Sequence, residues 1–333
     1  MKLAYAYGVL AGGGCERRLG ELAAWMLTRG HEVRIFGETI RKEGRDILLG
    51  QCGLPAEMIE VAQDDGPYPG NYADWLRERV AGYAPDLVGH QWYGEPIRFD
   101  CPSICTVHGW GVLPPLGTYE AIIYVWQTHD PVYLAVAPRV RCVDNWVGLS
   151  RLPFHEEPGE GVAFFGRSYK YHNALRHALR NPQETVVCFS PDPAPKRLAP
   201  NMDWRGMGDP AEVLPPFRLV FASALAAMEA MALGRRVIVG HPHPFLWETC
   251  RFVTCANIES LLPGRFAYEM TSRPPVTDEE VCGQAEAALA ADNLPERRAL
   301  RRWLEVHRNP DCQIPQIEEL YRMVKEDRQC VLS

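Results

Sequence analysis

The order of apolar segments along the chain constrains its fold more than any other sequence feature. In the first half, short continuous runs rich in β-branched residues alternate with helical patterns, as where KLAYAYGVL (2–10) is followed by a helical pattern over 15–29. Runs that are apolar throughout and separated by helices are typical of a parallel sheet covered on both faces. The first half therefore predicts one doubly wound α/β domain.

The same alternation begins again after a stretch rich in Pro, Gly and Glu (148–161), which we interpret as a linker. The strands predicted beyond it are GVAFFGR, ETVVCFS, FRLVFAS, RVIVGH and RFVTCAN, and they predict a second parallel sheet. Helices are predicted at 72–83 in the first half and at 172–180, 224–233, 257–262, 277–291, 295–308 and 313–327 in the second. Two tandem α/β domains place the carboxyl ends of both sheets at a shared cleft, where ligands of open α/β sheets bind.

The predicted domains are an N-terminal one over 1–150, a C-terminal one over 151–310 and a final helix over 311–333. With 333 residues the chain exceeds what one core usually holds. In the final helix the apolar residues recur at intervals of three and four, so one face is predicted to be buried. These residues are Ile314, Ile317, Leu320, Tyr321 and Val324.

The composition limits the cellular compartment and the binding partners that we expect for this protein. The net charge of −7 argues against a protein that holds nucleic acid by broad neutralisation of phosphates. The eleven cysteines form no C-x-x-C pair and lie mostly in apolar runs, which favours reduced core thiols and no structural metal. Without a signal-peptide pattern or an apolar run of about 18 residues, we expect a cytoplasmic protein. The last four residues, CVLS, fit a weak prenylation pattern and otherwise form a frayed tail.

The segment FRLVFASALAAMEAMALGRRVIVG (217–240) carries the clearest chemical signal. A strand ends at Ser223, a helix follows with Ser223 as N-cap, and Gly234 stops the helix as its C′ residue. The N–H groups at the start of this helix, from Ala224 onward, and its dipole favour a diphosphate. Glu229 lies about 9 Å further along the axis at ~1.5 Å per residue, within reach of ribose hydroxyls. Its apolar neighbours disfavour a solvated position, so the segment predicts a nucleotide diphosphate site.

Three glycines (12–14) stand directly before the first helix. A Gly-rich loop between a strand and a helix lets a ligand, often an anion, approach the backbone. Arg17 or Arg18 is suited to an anionic ligand, and the other is expected to lie on a solvated helix face.

Several segments together resemble the retaining GT-B glycosyltransferases of family 4. MEAMALGRRVIV is similar to that family's lEAMAxGxPVV signature, and GGGCERRLGELAAWMLTRGHEVRIF is similar to its first loop and helix. APDLVGHQW, CPSICTVHGW, VDNWV, AFFGR and QIEELYRMV resemble further family segments in the same order. The resemblance implies two Rossmann-like domains that face each other across a cleft, with a C-terminal helix that crosses back to the first domain.

The resemblance also implies roles for individual residues. His108, Arg167 and Lys170 would be the catalytic residues, since cations stabilise the leaving nucleoside diphosphate and a histidine can contact the donor sugar. The donor nucleotide, UDP- or GDP-linked, would be bound by Gly166, Ser223, Ala224 and Glu229. The acceptor side of the cleft would be formed by Gly13, Gly14, Glu16 and Arg17. No D-x-D pair occurs in the sequence, so we expect neither a metal nor another cofactor. His90 is expected to be structural.

One family feature is missing. Family 4 enzymes usually carry E-x7-E, and Phe221 stands eight residues before Glu229, where the first glutamate would be. The strand therefore passes almost directly into the helix, which leaves open a loss of catalysis, a less common donor sugar, or a different residue that holds the donor sugar. The candidates are His241, His243 and Glu248 in GHPHPFLWE.

Three functions remain open at this point. The first is a retaining, metal-independent glycosyltransferase with an unidentified acceptor, for which a DNA base is disfavoured by the acidic charge but not excluded. The second is a non-hydrolysing sugar-nucleotide epimerase, and the third is a catalytically silent GT-B scaffold that binds a nucleotide or a partner. The sequence predicts neither the acceptor nor the oligomeric state.

Overall fold

The structure is a computed structural model that describes residues 1–64, 66, 68–92, 97–108, 118–125, 137–240, 247–262, 266, 268–269, 275–291 and 293–332. The chain divides into two compact units. The first comprises residues 1–145 together with 310–333, and the second comprises residues 146–309.

The two units are built from strands joined by helices. In chain order the described strands are β1 (Lys2–Leu10), β2 (Glu32–Ile40), β3 (Ile59–Asp64), β4 (Leu87–Trp92), β5 (Ser103–Val107), β6 (Ala121–Tyr124), β7 (Val140–Cys142), β8 (Glu160–Phe165), β9 (Val186–Phe189), β10 (Met202–Arg205), β11 (Phe217–Ala222), β12 (Arg236–Val239), β13 (Trp247–Glu248), β14 (Arg251–Phe252) and β15 (Tyr268–Glu269). The described α-helices are α1 (Gly14–Thr28), α2 (Lys42–Arg45), α3 (Tyr72–Tyr83), α4 (His172–Arg180), α5 (Pro210–Val213), α6 (Leu225–Ala232), α7 (Asp278–Ala290), α8 (Leu294–His307) and α9 (Pro310–Leu332).

The first unit contains a seven-stranded sheet in the order β3-β2-β1-β4-β5-β6-β7, and all of its strand pairs are parallel. Strand order reverses between β1 and β4, which makes the sheet doubly wound, as predicted. The sequence pattern missed β3 because its residues are only half-buried and polar residues interrupt the apolar run. Asn71 caps α3 by accepting hydrogen bonds from the N–H groups of Ala73 and Asp74.

Helix α9 belongs to the first unit, where it contacts α1. The five apolar positions predicted to share a face are all buried, at 0–2% exposure. Polar contacts fix the helix to the sheet: Lys325 lies 2.9 Å from Asp86, and Glu318 Oε1 lies 3.1 Å from His31 Nε2. The 3.6-residue period of the sequence therefore predicted the buried face correctly.

The second unit contains a six-stranded sheet in the order β10-β9-β8-β11-β12-β14. Helices α6 and α8 contribute to the apolar core on one face, and α4 and α7 contribute to the core on the other. Two predictions were wrong in detail. The RFVTCAN strand is the two-residue β14, which pairs antiparallel with β12, so the sheet is mixed. The segment 257–262 forms turns and one turn of 3-10 helix (Glu259–Leu261), because Asn257 accepts from Thr254 N–H and donates to Phe252 O.

The segment 148–161 is part of the second unit and not a free linker. Two arginines hold it through its carbonyl groups: the buried Arg235 donates to the oxygens of His155 and Glu157, and the partly buried Arg301 donates to those of Leu149 and Leu152. Burial, together with the charges of two neighbouring arginines, lowers the pKa of Arg235 to about 10. Composition alone indicated a linker because the partners of these carbonyls lie 78 or more positions away.

Candidate active site

The second unit has its switch point between β8 and β11, two neighbouring strands whose connections lead to opposite sides of the sheet. Phe165 pairs with Ala222 at the ends of these strands, so Gly166 and Ser223 follow at the same sheet edge. Crevices at such switch points are the usual ligand sites of open α/β sheets. The structure therefore brings together the two segments that sequence reasoning assigned to the donor nucleotide.

The turn from β11 into α6 consists of Ser223 and Ala224 alone. The N-cap is Ala224 and not Ser223 as predicted, and no side chain caps the helix. Ala224 has φ 54° and ψ −129°, a backbone conformation that costs a residue with a side chain about 1–3 kcal/mol. Since the first N–H groups of any helix lack intrahelical partners, this turn presents the amides of Leu225 and Ala226 at the sheet edge.

The far end of α6 matches the prediction. Gly234, with φ 78°, follows the last turn, its N–H donates to Met231 O, and the N–H of Arg235 donates to Ala230 O. This is a Schellman motif, in which a left-handed glycine closes the helix.

Glu229 is the one charged residue of α6, and it is 2% exposed. This burial excludes a solvent-exposed position for the Glu229 carboxylate. Its Oε1 lies 3.9 Å from Nη2 of Arg151, whose Nη1 donates to both carboxylate oxygens of Asp209 at 3.2 and 3.1 Å. Neither Arg151 nor Asp209 was predicted, because each lies in a turn distant in sequence from α6 and matches no motif.

Arg167 lies directly after β8, and its guanidinium is oriented by Asp192. Nη1 of Arg167 donates to Asp192 Oδ1 at 2.9 Å, and the Ser168 N–H donates to Oδ2 at 2.8 Å. Burial by itself would raise the pKa of the Asp192 carboxyl, but the hydrogen bond from Ser168 and the charge of Arg167 outweigh burial and lower it. Asp192 therefore fixes the direction of Arg167 and offsets part of its charge, a partner that the sequence did not indicate.

Lys170 ends a turn of 3-10 helix (Ser168–Lys170) immediately beyond Arg167. Its Nζ lies 5.5 Å from the ring centroid of Tyr169, an aromatic residue that is 59% exposed. Lys170 thus lies at the same sheet edge as Arg167.

The side chains of the three residues considered for the donor sugar lie outside the described part of the structure. His241 and His243 lie outside the described residues, and Glu248 lies in β13 with a side chain that is outside the description. Phe221 is 3% exposed and packs against the His177 ring at 5.4 Å, so the position of the first family glutamate is occupied by a core residue.

In the first unit, Glu43 occupies the space beside Gly12, the first residue of the glycine loop (12–14). A Cβ on Gly12, which has φ 83°, would lie 2.4 Å from Glu43 Cβ, so Gly12 accommodates α2 and not a ligand. Gly13 is the N-cap of α1, and Gly14 is exposed. Glu16 Oε1 accepts a hydrogen bond from the N–H of Ala11 at 3.0 Å, which closes the loop.

Arg17 and Arg18 are both buried, at 4% and 3% exposure. The expectation that one of them lies on a solvated helix face was therefore wrong. Nη2 of Arg17 donates to Gln51 Oε1 at 2.6 Å. The charge of Arg18 acts on the Tyr5 and Tyr321 hydroxyls, which lie beneath α1, so the helix turns this face towards the core.

His108 follows β5 and is 5% exposed. Its Nε2 lies 2.7 Å from Gln91 Oε1, and the Gln91 amide nitrogen donates to Thr106 Oγ1 at 3.4 Å. Because the amide oxygen of Gln91 faces the ring, a neutral His108 carries its proton on Nε2 and presents Nδ1 as an acceptor. His90 is held by the Tyr119 hydroxyl at 2.6 Å, and burial lowers its pKa to about 4, as suits a structural histidine.

Within the described part of the chain, no group of three or more His, Cys, Asp and Glu residues lies close enough to hold a metal ion. No helix in that same part is both long and apolar enough to cross a membrane.

No protein-family model matches the chain, and no curated protein matches it. Several solved structures are similar to the chain. A glycosyltransferase from Rickettsia africae is similar with a TM-score of 0.64 at 12% identity, covering 97% of this chain and 98% of its own. An alpha-glucosyltransferase in complex with UDP and a 13-mer DNA containing an HMU base has a TM-score of 0.59 at 12% identity, covering 97% and 100%. A UDP-GlcNAc 2-epimerase from Neisseria meningitidis bound to UDP-GlcNAc has a TM-score of 0.56 at 10% identity, covering 89% and 94%. Likenesses at this level of identity show the fold alone, and the fold of this chain is GT-B, with two Rossmann-like units.

Proposed function

We propose that this protein is a glycosyltransferase that transfers a sugar from a nucleoside diphosphate sugar to an acceptor. The observation that carries the proposal is the pairing of Phe165 with Ala222, which places Gly166-Arg167 and Ser223-Ala224 side by side at the switch point of the second unit. Amides at the start of α6 and the Arg167 guanidinium suit a diphosphate that gains charge as the glycosidic bond breaks. The GT-B fold supports this reading.

Within the proposal, Glu229 accepts hydrogen bonds from the ribose hydroxyls, and Arg167 with Lys170 stabilises the leaving diphosphate. In the first unit, His108 contacts the donor sugar, and Gly13, Gly14, Glu16 and Arg17 form the acceptor side. We further propose retention of configuration, no requirement for a metal and a cytoplasmic location. The ten cysteines whose side chains the structure describes form no disulfide with one another, which fits a reducing compartment and supports the last point.

The test is incubation of the full chain with a panel of UDP-, GDP-, ADP- and TDP-sugars while release of nucleoside diphosphate is followed. Water takes the sugar when no acceptor is present, so we expect release with at least one donor, unchanged by EDTA, and the α-anomer of the free sugar as the first product of an α-linked donor by NMR. Arg167→Ala and Glu229→Gln are expected to lower kcat/KM by at least tenfold. Arg180→Ala, which removes an arginine that is 53% exposed and paired with Asp278, is the matched control. A stable protein that binds none of these nucleotides would refute the proposal.

A second candidate is a non-hydrolysing sugar-nucleotide epimerase, since one of the similar solved structures is a UDP-GlcNAc 2-epimerase. An epimerised nucleotide sugar formed without acceptor would select this function. A third candidate is a silent GT-B scaffold, favoured by Phe221 in the core where the family glutamate would stand. Binding of a nucleotide sugar in calorimetry without any transfer, hydrolysis or epimerisation would select it.

A further inference from the structure

The turn that carries Arg167 and Lys170 continues directly into α4. The Lys170 N–H donates to Arg167 O at 2.9 Å, the Tyr171 N–H donates to Ser168 O at 3.4 Å, and the Leu175 N–H donates to Tyr171 O at 2.9 Å. These hydrogen bonds overlap, so the turn and the start of α4 form one continuous segment of backbone. Whatever fixes the start of α4 therefore also fixes the position of the turn.

Asn173, the second residue of α4, fastens this segment to the edge of the sheet. Its side chain is buried, and Nδ2 donates to Gly240 O and to Thr249 O, both at 3.1 Å. In the described part of the chain Oδ1 is buried without a hydrogen-bond partner, so Asn173 acts through its nitrogen. Gly240 directly follows β12, whose Val239 pairs with Ala222 of β11. Asn173 thus connects the start of α4 with the strand end on the far side of β11.

Asp192 holds the same segment from the opposite side. It follows β9, which neighbours β8 on the side away from β11, and it accepts hydrogen bonds from Arg167 and from the Ser168 N–H. Asp192 is itself held, because Trp204 Nε1–H donates to its carbonyl oxygen at 3.2 Å and its own N–H donates to Ser190 Oγ at 3.1 Å. The two anchors of the Arg167 turn therefore lie on either side of the β8–β11 switch point.

We propose that Asn173 is a positioning residue that, together with Asp192, holds the Arg167–Lys170 turn in place for a diphosphate. The inference rests on the proposed function and deepens it. Cations that are already in place bind an anion more tightly, because no ordering of the turn opposes binding. Without the two hydrogen bonds from Asn173, the start of α4 is free to shift and the contribution of these cations falls.

The experiment measures binding of UDP, GDP and ADP, and of the corresponding monophosphates, to the full chain by calorimetry. A diphosphate carries more charge than a monophosphate, so the ratio of the two affinities reports what the cations contribute. We expect the wild type to favour the diphosphate by about tenfold or more. Asn173→Leu, which keeps the branched shape and removes the donor, is expected to lower this ratio several-fold.

The matched control is Asn201→Leu, at a second asparagine that secures α4. Nδ2 of Asn201 donates to the carbonyl oxygens of Ala178, Asn181 and Glu184 at 3.0, 3.0 and 2.7 Å, so it holds the far end of the same helix. Both substitutions remove an amide donor from α4, and both should lower Tm. Only Asn173→Leu should lower the ratio of diphosphate to monophosphate affinity.

A purely structural role for Asn173 predicts a different pattern. Asn173→Leu would then lower Tm while the affinity ratio stayed at its wild-type value, or Asn201→Leu would lower the ratio equally. Either result would overturn the inference and leave the proposed function standing. A wild type that binds no nucleoside diphosphate, or binds monophosphates and diphosphates equally tightly, would overturn both. If Asn173→Leu does not fold, Asn173→Ala provides the same comparison of ratios.

Discussion

Replacement of Ala224 by glycine should stabilise the protein, although alanine-to-glycine changes at helix starts and in helices usually destabilise. Ala224 has φ 54° and ψ −129°, a region that glycine occupies freely and alanine does not. Relief of this strain is worth about 1–3 kcal/mol. The greater backbone freedom of glycine in the unfolded chain costs about 0.5–1 kcal/mol. The balance is a gain of about 1 kcal/mol.

The matched control is Ala226→Gly, two residues further on. Ala226 is partly buried like Ala224 but lies inside α6 with ordinary helical geometry, so its replacement should cost about 1 kcal/mol. For a unit of this size, 1 kcal/mol corresponds to about 2–4 °C in Tm. We therefore expect Ala224→Gly to melt about 4–8 °C above Ala226→Gly, with wild type between them.

The assay is thermal unfolding followed by circular dichroism, with urea titration to compare midpoints at equal m-values. A loss of stability in Ala224→Gly equal to that in Ala226→Gly would refute the reasoning, because it would mean that Ala224 carries no strain. If the strained turn also aims the first amides of α6 at a diphosphate, Ala224→Gly should bind nucleoside diphosphate more weakly while being more stable.

Two further predictions concern the fold. Burial would raise the pKa of Glu318, but its contacts with His31, Arg322 and Arg29 outweigh burial and lower the pKa. The carboxylate therefore stabilises the native state above the ordinary carboxyl pKa, and this contribution is lost as pH falls through the lowered value. Glu318→Gln should cost about 1–3 kcal/mol of stability at pH 7 and much less at pH 3, and a cost independent of pH in melting experiments would contradict this. Gly240 has φ 118°, and a Cβ there would lie 1.9 Å from Thr249 O, so Gly240→Ala should lower Tm sharply. The control Gly283→Ala, at an open position in α7, should raise Tm slightly. Equal effects of the two substitutions on Tm would show that the Gly240 turn can adjust.

Local patterns in the sequence were sufficient for most elements. Helix α4 was predicted with its observed bounds (172–180), and α6 to within one residue at each end. The closing glycine of α6 was also correct, since Gly234 acts through its own backbone geometry. The error at Ser223 has a physical cause: a serine at the end of a strand is a good N-cap, but the short β11–α6 turn moves the cap to the next residue and requires a positive φ there.

The site residues show which contacts local sequence patterns do not predict. Glu229 was identified because its neighbours in α6 are apolar, yet its partner Arg151 lies 78 positions earlier (229 − 151) and matches no motif. Asp192 likewise meets Arg167 only because β8 and β9 are neighbouring parallel strands. Gly12 illustrates the reverse case, in which a residue that suggested a ligand proved to accommodate Glu43.

The sequence by itself determined the alternation of strands and helices, the division into two Rossmann-like α/β units and the helix carrying Glu229, because period, apolar runs and capping residues act over a few neighbouring positions. The tertiary structure alone decided which charged and polar groups meet: Arg151 with Glu229 and Asp209, Asp192 with Arg167, and Gln91 with His108. Parallel strands require long crossovers, so residues that share one sheet edge come from distant segments, and their pairing depends on strand order and not on spacing in the chain.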